Sequence, residues 1–194
     1  MATAAPSPKA RLLDVACRLF YAEGIHAVGV DRVIAEASVA KATLYVHFPG
    51  KADLVSAYLA RRSHEWVAGA ERQLAAHGPG TAEAVASLFE MLYDESRGTG
   101  FRGCPFINAA AEFPGPGPVA DEISAHRHRV RSVFASAGGA LVAPPGVLDA
   151  VVVLYGGAMS AAHLDGDPEV VLHAAAAARR LLDGERAGAR PLAR

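Results

Sequence analysis

The spacing of apolar residues predicts two short helices in tandem in the first quarter of the chain. Over residues 30–37, apolar positions recur at i, i+3, i+4 and i+7, which places them on one face of a helix. The residues of this stripe are Val30, Val33, Ile34 and Ala37. After a break, Leu44 and Phe48 form a second apolar pair four residues apart. The pattern therefore predicts two helices that each bury one narrow face.

The rest of the chain has the same helical spacing, interrupted by turn residues. Gly24, the Gly and Pro residues at 77–80, the loop at 97–103, the Pro-rich segment 114–118 and the sequence DGDP at 165–168 mark the breaks. The pattern predicts an all-α protein. Its further helices run from Lys9 to Glu23, from Lys51 to about Ala76, from the cap Thr81 through Leu92, from Pro105 through INAAAEF, from Val119 to Gly138, from about Pro145 to Leu164, and from Pro168 to Leu182.

The second short helix has an outward face of polar and amphipathic residues. Lys41, Thr43, Tyr45 and His47 lie off the apolar stripe, so they point away from the core. Lysine and tyrosine can bind phosphates, and threonine can contact a base edge or a thymine methyl group. Such a helix suits a DNA major groove. By spacing alone, an ordinary helical hairpin explains the pattern equally well.

A family resemblance favours the DNA-binding interpretation. The segment VIAEASVAKATLYVHFPGKADL resembles the signature of the TetR family of transcriptional repressors, and the close match covers roughly residues 9 to 60. The resemblance implies an N-terminal three-helix head with a helix-turn-helix at residues 1–50. It also implies a C-terminal helical ligand-binding and dimerisation domain at residues 51–194. In this family the long helix after the head transmits movement from the ligand pocket, and the lysine at its start contacts a phosphate. The predicted DNA contacts are Val30, Lys41, Ala42, Thr43, Tyr45, His47 and Lys51.

Three positions depart from the family pattern. The family usually has Gly where this chain has Ser38, Ser or Thr where it has Ala40, and Gly where it has Ala42. Alanine cannot cap a helix, so Ala40 is expected to cost the second short helix about 1 kcal/mol of stabilisation. Ser38 can shift the turn. The methyl group of Ala42 can contact a thymine and so alter operator preference.

Composition and charge are those of a globular cytoplasmic protein. Hydrophobic residues make up 52% of the 194 residues, and the formal net charge is −1. Residues 1–62 carry eight Lys or Arg and five Asp or Glu, a net of +3, so only this part suits a polyanion. With two cysteines, no apolar run near about 18 residues and no signal-peptide core at the start, we expect a soluble protein in a reducing cytosol, with no membrane association.

The central helices suggest a pocket for a small, mostly apolar effector, although a filled core is the alternative. The segment RGCPFINAAAEF resembles a subset of the same family. Asn108 and Glu112 lie four residues apart and can form either a polar handle in the pocket or a solvated face. Cys104 at a helix start is either a reactive thiol or a buried one. The predicted pocket residues are Trp66, Leu88, Met91, Cys104, Phe106, Ile107, Asn108, Phe113, His126, Tyr155 and Met159.

The last two predicted helices have broad faces of small and apolar residues. Such faces are wider than one partner helix needs, so we expect two copies of the pair to form a four-helix dimer interface; packing within one chain is the alternative. Gly156 and Gly157 suggest close backbone approach there. The predicted interface residues are Val151, Ala158, Ala162, Val171, Ala175, Ala178 and Leu182.

Enzymatic chemistry is not indicated. The sequence has no Gly-rich phosphate loop, no metal-ligand cluster and no nucleophile elbow. Ser63, His64 and Glu65 are neighbours in sequence and cannot form a triad, and His126 and His128 diverge on a helix. We predict no cofactor and no metal. The predicted partners are double-stranded operator DNA, a small-molecule effector and a second copy of the chain; a helical binding module without sequence-specific DNA binding is the alternative.

Overall fold

The computed structural model describes residues 6–188, with side chains to residue 184, and this part of the chain is helical with connecting loops. The all-α prediction is confirmed. The helices are α1 (Pro8–Glu23), α2 (Val30–Ala37), α3 (Lys41–His47), α4 (Lys51–His77), α5 (Ala82–Ser96), α6 (Pro105–Glu112), α7 (Pro118–Gly138), α8 (Val147–Asp165) and α9 (Glu169–Gly188).

The helix ends follow from local capping chemistry. Gly24 ends α1 in a positive-φ conformation (95°), and the Thr81 hydroxyl accepts a hydrogen bond from the Ala84 N–H at 3.0 Å at the start of α5, both as predicted. Ser7 caps α1 in the same way through the Ala10 N–H at 3.2 Å, a cap that the sequence analysis did not include.

The chain forms two compact units. The first contains the chain up to residue 63 and residues 105–126, and the second contains residues 64–104 and the chain from residue 127 onward. Helices α4 and α7 each contribute to both units. This division by contacts differs from the boundary predicted after residue 50, which separates a DNA-binding head from the rest and stays a prediction.

The first unit has its core where α1, α2 and α3 meet. On α2 the predicted stripe is buried at Val33, Ile34 and Ala37, while Val30 is half-buried. The Phe20 ring packs edge-to-face on Tyr58, with 5.8 Å between ring centroids. The buried residues of α1 are Leu12, Ala16, Leu19 and Phe20. The two short helices are therefore held by the face that their apolar spacing predicted.

The second unit packs α5 against α8 and α9 around an aromatic cluster. Phe89, Phe134 and Tyr155 contact one another edge-to-face, with centroid distances of 6.1, 5.4 and 5.1 Å. Helix α8 is long and apolar enough to cross a membrane by length and composition alone. Its buried residues lie in the core of this unit, and core helices pass the same test. They are Val147, Val151, Tyr155, Ala158 and Ala162.

A short 3₁₀ turn at Gly139–Val142, which the sequence pattern did not predict, follows α7. Here the α4–α5 connection meets the end of α7, since the N–H groups of Gly80 and Thr81 both donate to the Ala137 carbonyl at 2.8 and 3.1 Å. A Cβ at Gly139 would lie 2.9 Å from the Gly80 Cα, and the backbone of Gly139 has a φ of 51°. Only glycine fits this approach of two backbones.

Candidate nucleic-acid interface

The turn between α2 and α3 is a tight αL turn made without glycine. Ser38 has φ 53° and ψ 51°, and it is the only non-glycine residue with positive φ in the described part of the chain. The N–H groups of Ser38 and Val39 donate to the carbonyls of Ala35 and Ile34, which closes the end of α2. For a residue with a Cβ this left-handed conformation costs about 1 kcal/mol. The surrounding structure therefore holds Ser38 in a conformation that the residue alone would not prefer.

Helix α3 begins without a side-chain cap and is anchored by two buried residues. Ala40 makes no capping hydrogen bond, as expected for alanine, and the first helical bond runs from the Thr43 N–H to the Ala40 carbonyl at 2.9 Å. Leu44 is fully buried and Phe48 is 3% exposed. Tertiary packing through these two residues therefore stabilises a helix too short to form alone.

The outward face of α3 has the predicted composition. Tyr45 is 46% exposed, Lys41 and His47 are also exposed, and Thr43 is half-buried. Ala42 is exposed beside them. Val46, which was not among the predicted outward residues, is 78% exposed. Its position two residues after Leu44, off the buried stripe, was the signal for this exposure.

Two lysines of the predicted interface have different surroundings. The Lys41 Nζ lies 2.9 Å from an Asp31 carboxylate oxygen, and this hydrogen bond raises the pKa of Lys41. Burial lowers the pKa of the half-buried Lys51, and the negative charge of Glu112 acts in the opposite direction. Both lysines belong to the first unit, and each has an acidic neighbour there.

An ion-pair network connects α1 to α2. The Arg32 guanidinium donates to both oxygens of Glu23, at 2.5 and 2.8 Å, and to Glu36 at 2.9 Å. Arg18 pairs with the same Glu36. These hydrogen bonds lower the pKa of Glu23 and of Glu36. The contribution of these hydrogen bonds to the free energy of unfolding is present at neutral pH and is lost as the pH falls through the lowered pKa values of the two glutamates.

The predicted pocket residues divide between the two units. In the first unit, the buried His126 ring stacks on Phe106 with 3.5 Å between centroids, and its Nδ1 lies 2.9 Å from the Ser63 Oγ. Ile107 is 53% exposed. The other predicted residues of this unit, both half-buried, are Asn108 and Phe113.

In the second unit, the Trp66 Nε1–H donates to the Tyr155 hydroxyl at 2.9 Å. Burial raises the pKa of Tyr155, which keeps the phenol neutral, and the hydrogen bond from Trp66 acts in the opposite direction. Leu88 is fully buried. The remaining predicted residues of this unit, all half-buried, are Met91, Cys104 and Met159.

Glu112 has neither of the roles that the sequence left open. Its carboxylate accepts hydrogen bonds from the backbone N–H groups of Ile25, at 3.0 Å, and of His26. These residues are 87 and 86 positions away along the chain, so no local pattern indicated the contact.

The structure revises the predicted dimer surface. Six of the seven predicted residues are buried within a single chain, and Ala175 is half-buried. They contribute to the core of the second unit, so they are not available on its surface. Val153, Gly157 and Leu164 are exposed on the outward side of α8. The buried six are Val151, Ala158, Ala162, Val171, Ala178 and Leu182.

Comparison with known proteins gives one consistent result. Residues 12–58 match the model of the bacterial regulatory proteins of the tetR family. SCO4454, a TetR-family transcriptional regulator from Streptomyces coelicolor, is 37% identical; the match covers 93% of this chain and 95% of that one, with a TM-score of 0.74. The multidrug binding protein EbrR, solved in complex with ethidium, shares the fold at 21% identity (TM-score 0.72, covering 92% of this chain and 99% of that one).

Curated relatives match over shorter stretches. FasR, an HTH-type transcriptional activator of Mycolicibacterium smegmatis, is 31% identical over 93 residues, which is 46% of this chain and 42% of FasR. The chain spans less than half the length of the curated relatives it matches.

The helix pair and the comparisons agree. Helices α2 and α3 present an anchored recognition helix with an exposed polar face, and the family match begins in α1 and ends in α4. The likeness to SCO4454 extends over nearly all of both chains. The chain belongs to the TetR family of DNA-binding transcriptional regulators.

Proposed function

We propose that this regulator is a repressor that binds a near-palindromic operator as a dimer and is released by a small, mostly apolar effector. The proposal of operator binding rests on α3, which buries Leu44 and exposes its polar side chains. One such helix reads only a few base pairs, so two-fold symmetry is needed to double the contacts. Selection of bound fragments from the native genome tests the operator: the enriched sites are expected to contain two inverted half-sites.

The proposed contacts divide into positioning and reading. Lys41, Tyr45 and Lys51 carry groups that bind phosphates, which position the protein without reading sequence. Thr43 and Ala42 can contact base edges and thymine methyl groups. Val30 is at the start of α2 and His47 at the end of α3, and we assign both to the margins of the proposed interface.

Lys51→Ala is expected to weaken binding to every DNA sequence. Loss of one phosphate contact should lower the slope of log affinity against log salt concentration by about one unit. Fluorescence anisotropy with a selected duplex and a mixed-sequence duplex, across a salt series, measures both quantities. Arg179→Ala is the matched control, since it removes one exposed cation from α9. Unchanged affinity and slope in Lys51→Ala would remove Lys51 from the interface.

The proposed dimer uses the outward face of α8. Val153 is 71% exposed and Leu164 is 80% exposed, and large apolar side chains on one helix are typical of an interface core. Apart from the neighbouring residues and backbone of α8 itself, neither Gly156 nor Gly157 has an atom of the described chain within 4 Å of where a Cβ would lie. Packing within the described residues therefore does not explain two glycines in mid-helix, whereas close approach of a partner helix would.

The proposed effector site rests on the aromatic and apolar residues of the central helices. In the second unit, the Trp66–Tyr155 pair combines flat apolar surface with polar atoms, as ligand sites do. The fold is shared with EbrR, which was solved with ethidium bound. An apolar or aromatic effector suits such walls.

Effector binding and DNA binding are expected to be reciprocal. If an effector weakens operator affinity about thirtyfold, which is about 2 kcal/mol of coupling, operator DNA must weaken effector affinity by the same factor. Calorimetric titration of the effector into the free protein and into the operator complex measures this. Equal effector affinity in both titrations would show that the pocket is not the switch.

The direction of regulation is a separate test, since FasR is described as a transcriptional activator. Repression predicts that transcripts from the genes next to the selected sites rise when this protein is deleted. A fall in those transcripts would show activation instead.

A further inference from the structure

The last residues of α6 lie against the connection between α1 and α2. The Glu112 carboxylate accepts from the N–H of Ile25 with one oxygen and from the N–H of His26 with the other. A Cβ on Gly24 would lie 3.7 Å from the Glu112 oxygen that accepts from Ile25. The Phe113 and His26 rings lie next to each other, with 5.2 Å between their centroids. All of these residues belong to the first unit. One carboxylate therefore holds two consecutive backbone groups of the connection.

This contact is more than a surface ion pair. Ile25 is 2% exposed, the Glu112 side chain is 23% exposed, and hydrogen bonds from N–H groups to a carboxylate are among the stronger ones in proteins. A buried backbone N–H needs an acceptor, and here a side chain 87 residues away supplies it. The connection leads directly into α2, whose start carries Val30 of the proposed DNA interface.

The same carboxylate also acts on the proposed phosphate contact at the start of α4. Burial disfavours the charged form of Lys51, and the negative charge of Glu112 favours it. Glu112 thus contacts the backbone that leads into α2 and acts on the pKa of Lys51, without lying on α2 or α3.

We infer that Glu112 is a positioning residue for DNA binding: by holding the backbone of Ile25 and His26, it fixes α2 and α3 in the arrangement that reads the operator. This inference rests on the proposed operator binding. It makes a prediction opposite in sign to simple electrostatics. Removal of a negative charge from a DNA-binding unit should tighten binding to any duplex, whereas loss of positioning should weaken binding to the operator.

The test compares Glu112→Gln and Glu112→Ala with the wild-type full chain. Glutamine keeps one carbonyl oxygen that can accept one N–H, and alanine keeps none, so a graded effect is expected. Glu90→Gln is the matched control, because it makes the same charge change at an exposed position of α5. The first measurement is amide hydrogen exchange at Ile25 and His26, which is expected to be faster in both Glu112 variants and faster in alanine than in glutamine.

The second measurement is affinity for the best genomic duplex and for a mixed-sequence duplex of the same length, at a temperature where circular dichroism shows both variants folded. Glu112→Gln is expected to weaken binding to the genomic duplex about tenfold, the size of losing one base contact. The ratio of the two affinities should fall with it, while Glu90→Gln keeps the wild-type ratio.

The outcomes separate the inference from the proposed function. Unchanged exchange at Ile25 and His26 would overturn the inference, as would faster exchange with genomic-duplex affinity equal to or tighter than wild type. If the wild-type protein bound every duplex equally, the proposed operator binding would fail and the positioning role with it. The exchange rates would still report the Glu112 contact itself.

Discussion

Phe89→Ala is expected to lower the free energy of unfolding by about 3–5 kcal/mol. Phe89 is fully buried and lies edge-to-face against both Phe134 and Tyr155, at centroid distances of 6.1 and 5.4 Å. Truncation removes the buried ring and leaves a cavity lined by two aromatic residues that cannot both move to fill it. Denaturant unfolding followed by circular dichroism, at one fixed protein concentration, measures the change.

Val46→Ala is the control for this effect. Val46 is 78% exposed on α3, so its truncation should change the free energy of unfolding by less than about 0.5 kcal/mol. A loss below about 1 kcal/mol in Phe89→Ala would mean that the aromatic cluster is not the packed centre of the second unit.

If the proposed dimer forms, Val153→Glu is expected to convert it to a monomer and to weaken operator binding by on the order of a hundredfold. In a monomer this charge would be solvated, because Val153 is 71% exposed. In an interface formed by the outward face of α8 it would be buried without a partner, which costs several kcal/mol per ion. The affinity loss follows because a monomer engages one half-site and forfeits the gain of linked binding.

Light scattering at micromolar concentration reports the mass, and anisotropy with the selected duplex reports the affinity. Ala75→Glu is the control, because Ala75 is an exposed position on α4, outside the helix proposed to form the interface. A Val153→Glu dimer with unchanged operator affinity would contradict the proposed interface.

Gly157→Ala tests whether a partner backbone packs at this glycine. The substitution should stabilise the helix in a monomer but weaken the dimer if the partner packs closely there. In a monomer, alanine should stabilise α8 by about 1 kcal/mol, because glycine is the poorer helix former and the described chain leaves the site open. If a partner backbone packs closely there, the added methyl group should weaken dimerisation. The dimer dissociation constant from sedimentation equilibrium distinguishes the two.

Local patterns predicted most of the helical boundaries. The bounds of α2 follow the stripe that starts at Val30, and α1 stops at Gly24 because glycine tolerates positive φ. The outward face of α3 was also predictable, since a seven-residue helix that buries Leu44 must turn its other side chains outward. These features depend on residues within one or two turns of each other.

Contacts between distant segments were beyond such patterns. Glu112 binds the backbone of Ile25 and His26 across 86 or 87 residues, and periodicity carries no information on partners at that separation. At the 3₁₀ turn after α7, Gly139 lies close to the backbone of Gly80, again a tertiary contact.

Helix α8 shows where the two kinds of information divide. Its sequence predicted a long apolar helix with a stripe through Val151, Ala158 and Ala162, but the spacing does not show whether that stripe packs within the chain or against a second copy. Packing against α5 and α9 made the choice, placing Val151, Tyr155 and Ala158 in the core and leaving Val153 and Leu164 outside. The sequence by itself determined the helices, their order and the outward face of α3, because these depend on local spacing. Only the tertiary structure decided which side of α8 is available to a partner and which side chain holds the entrance to α2, because both depend on what lies next to a segment in space.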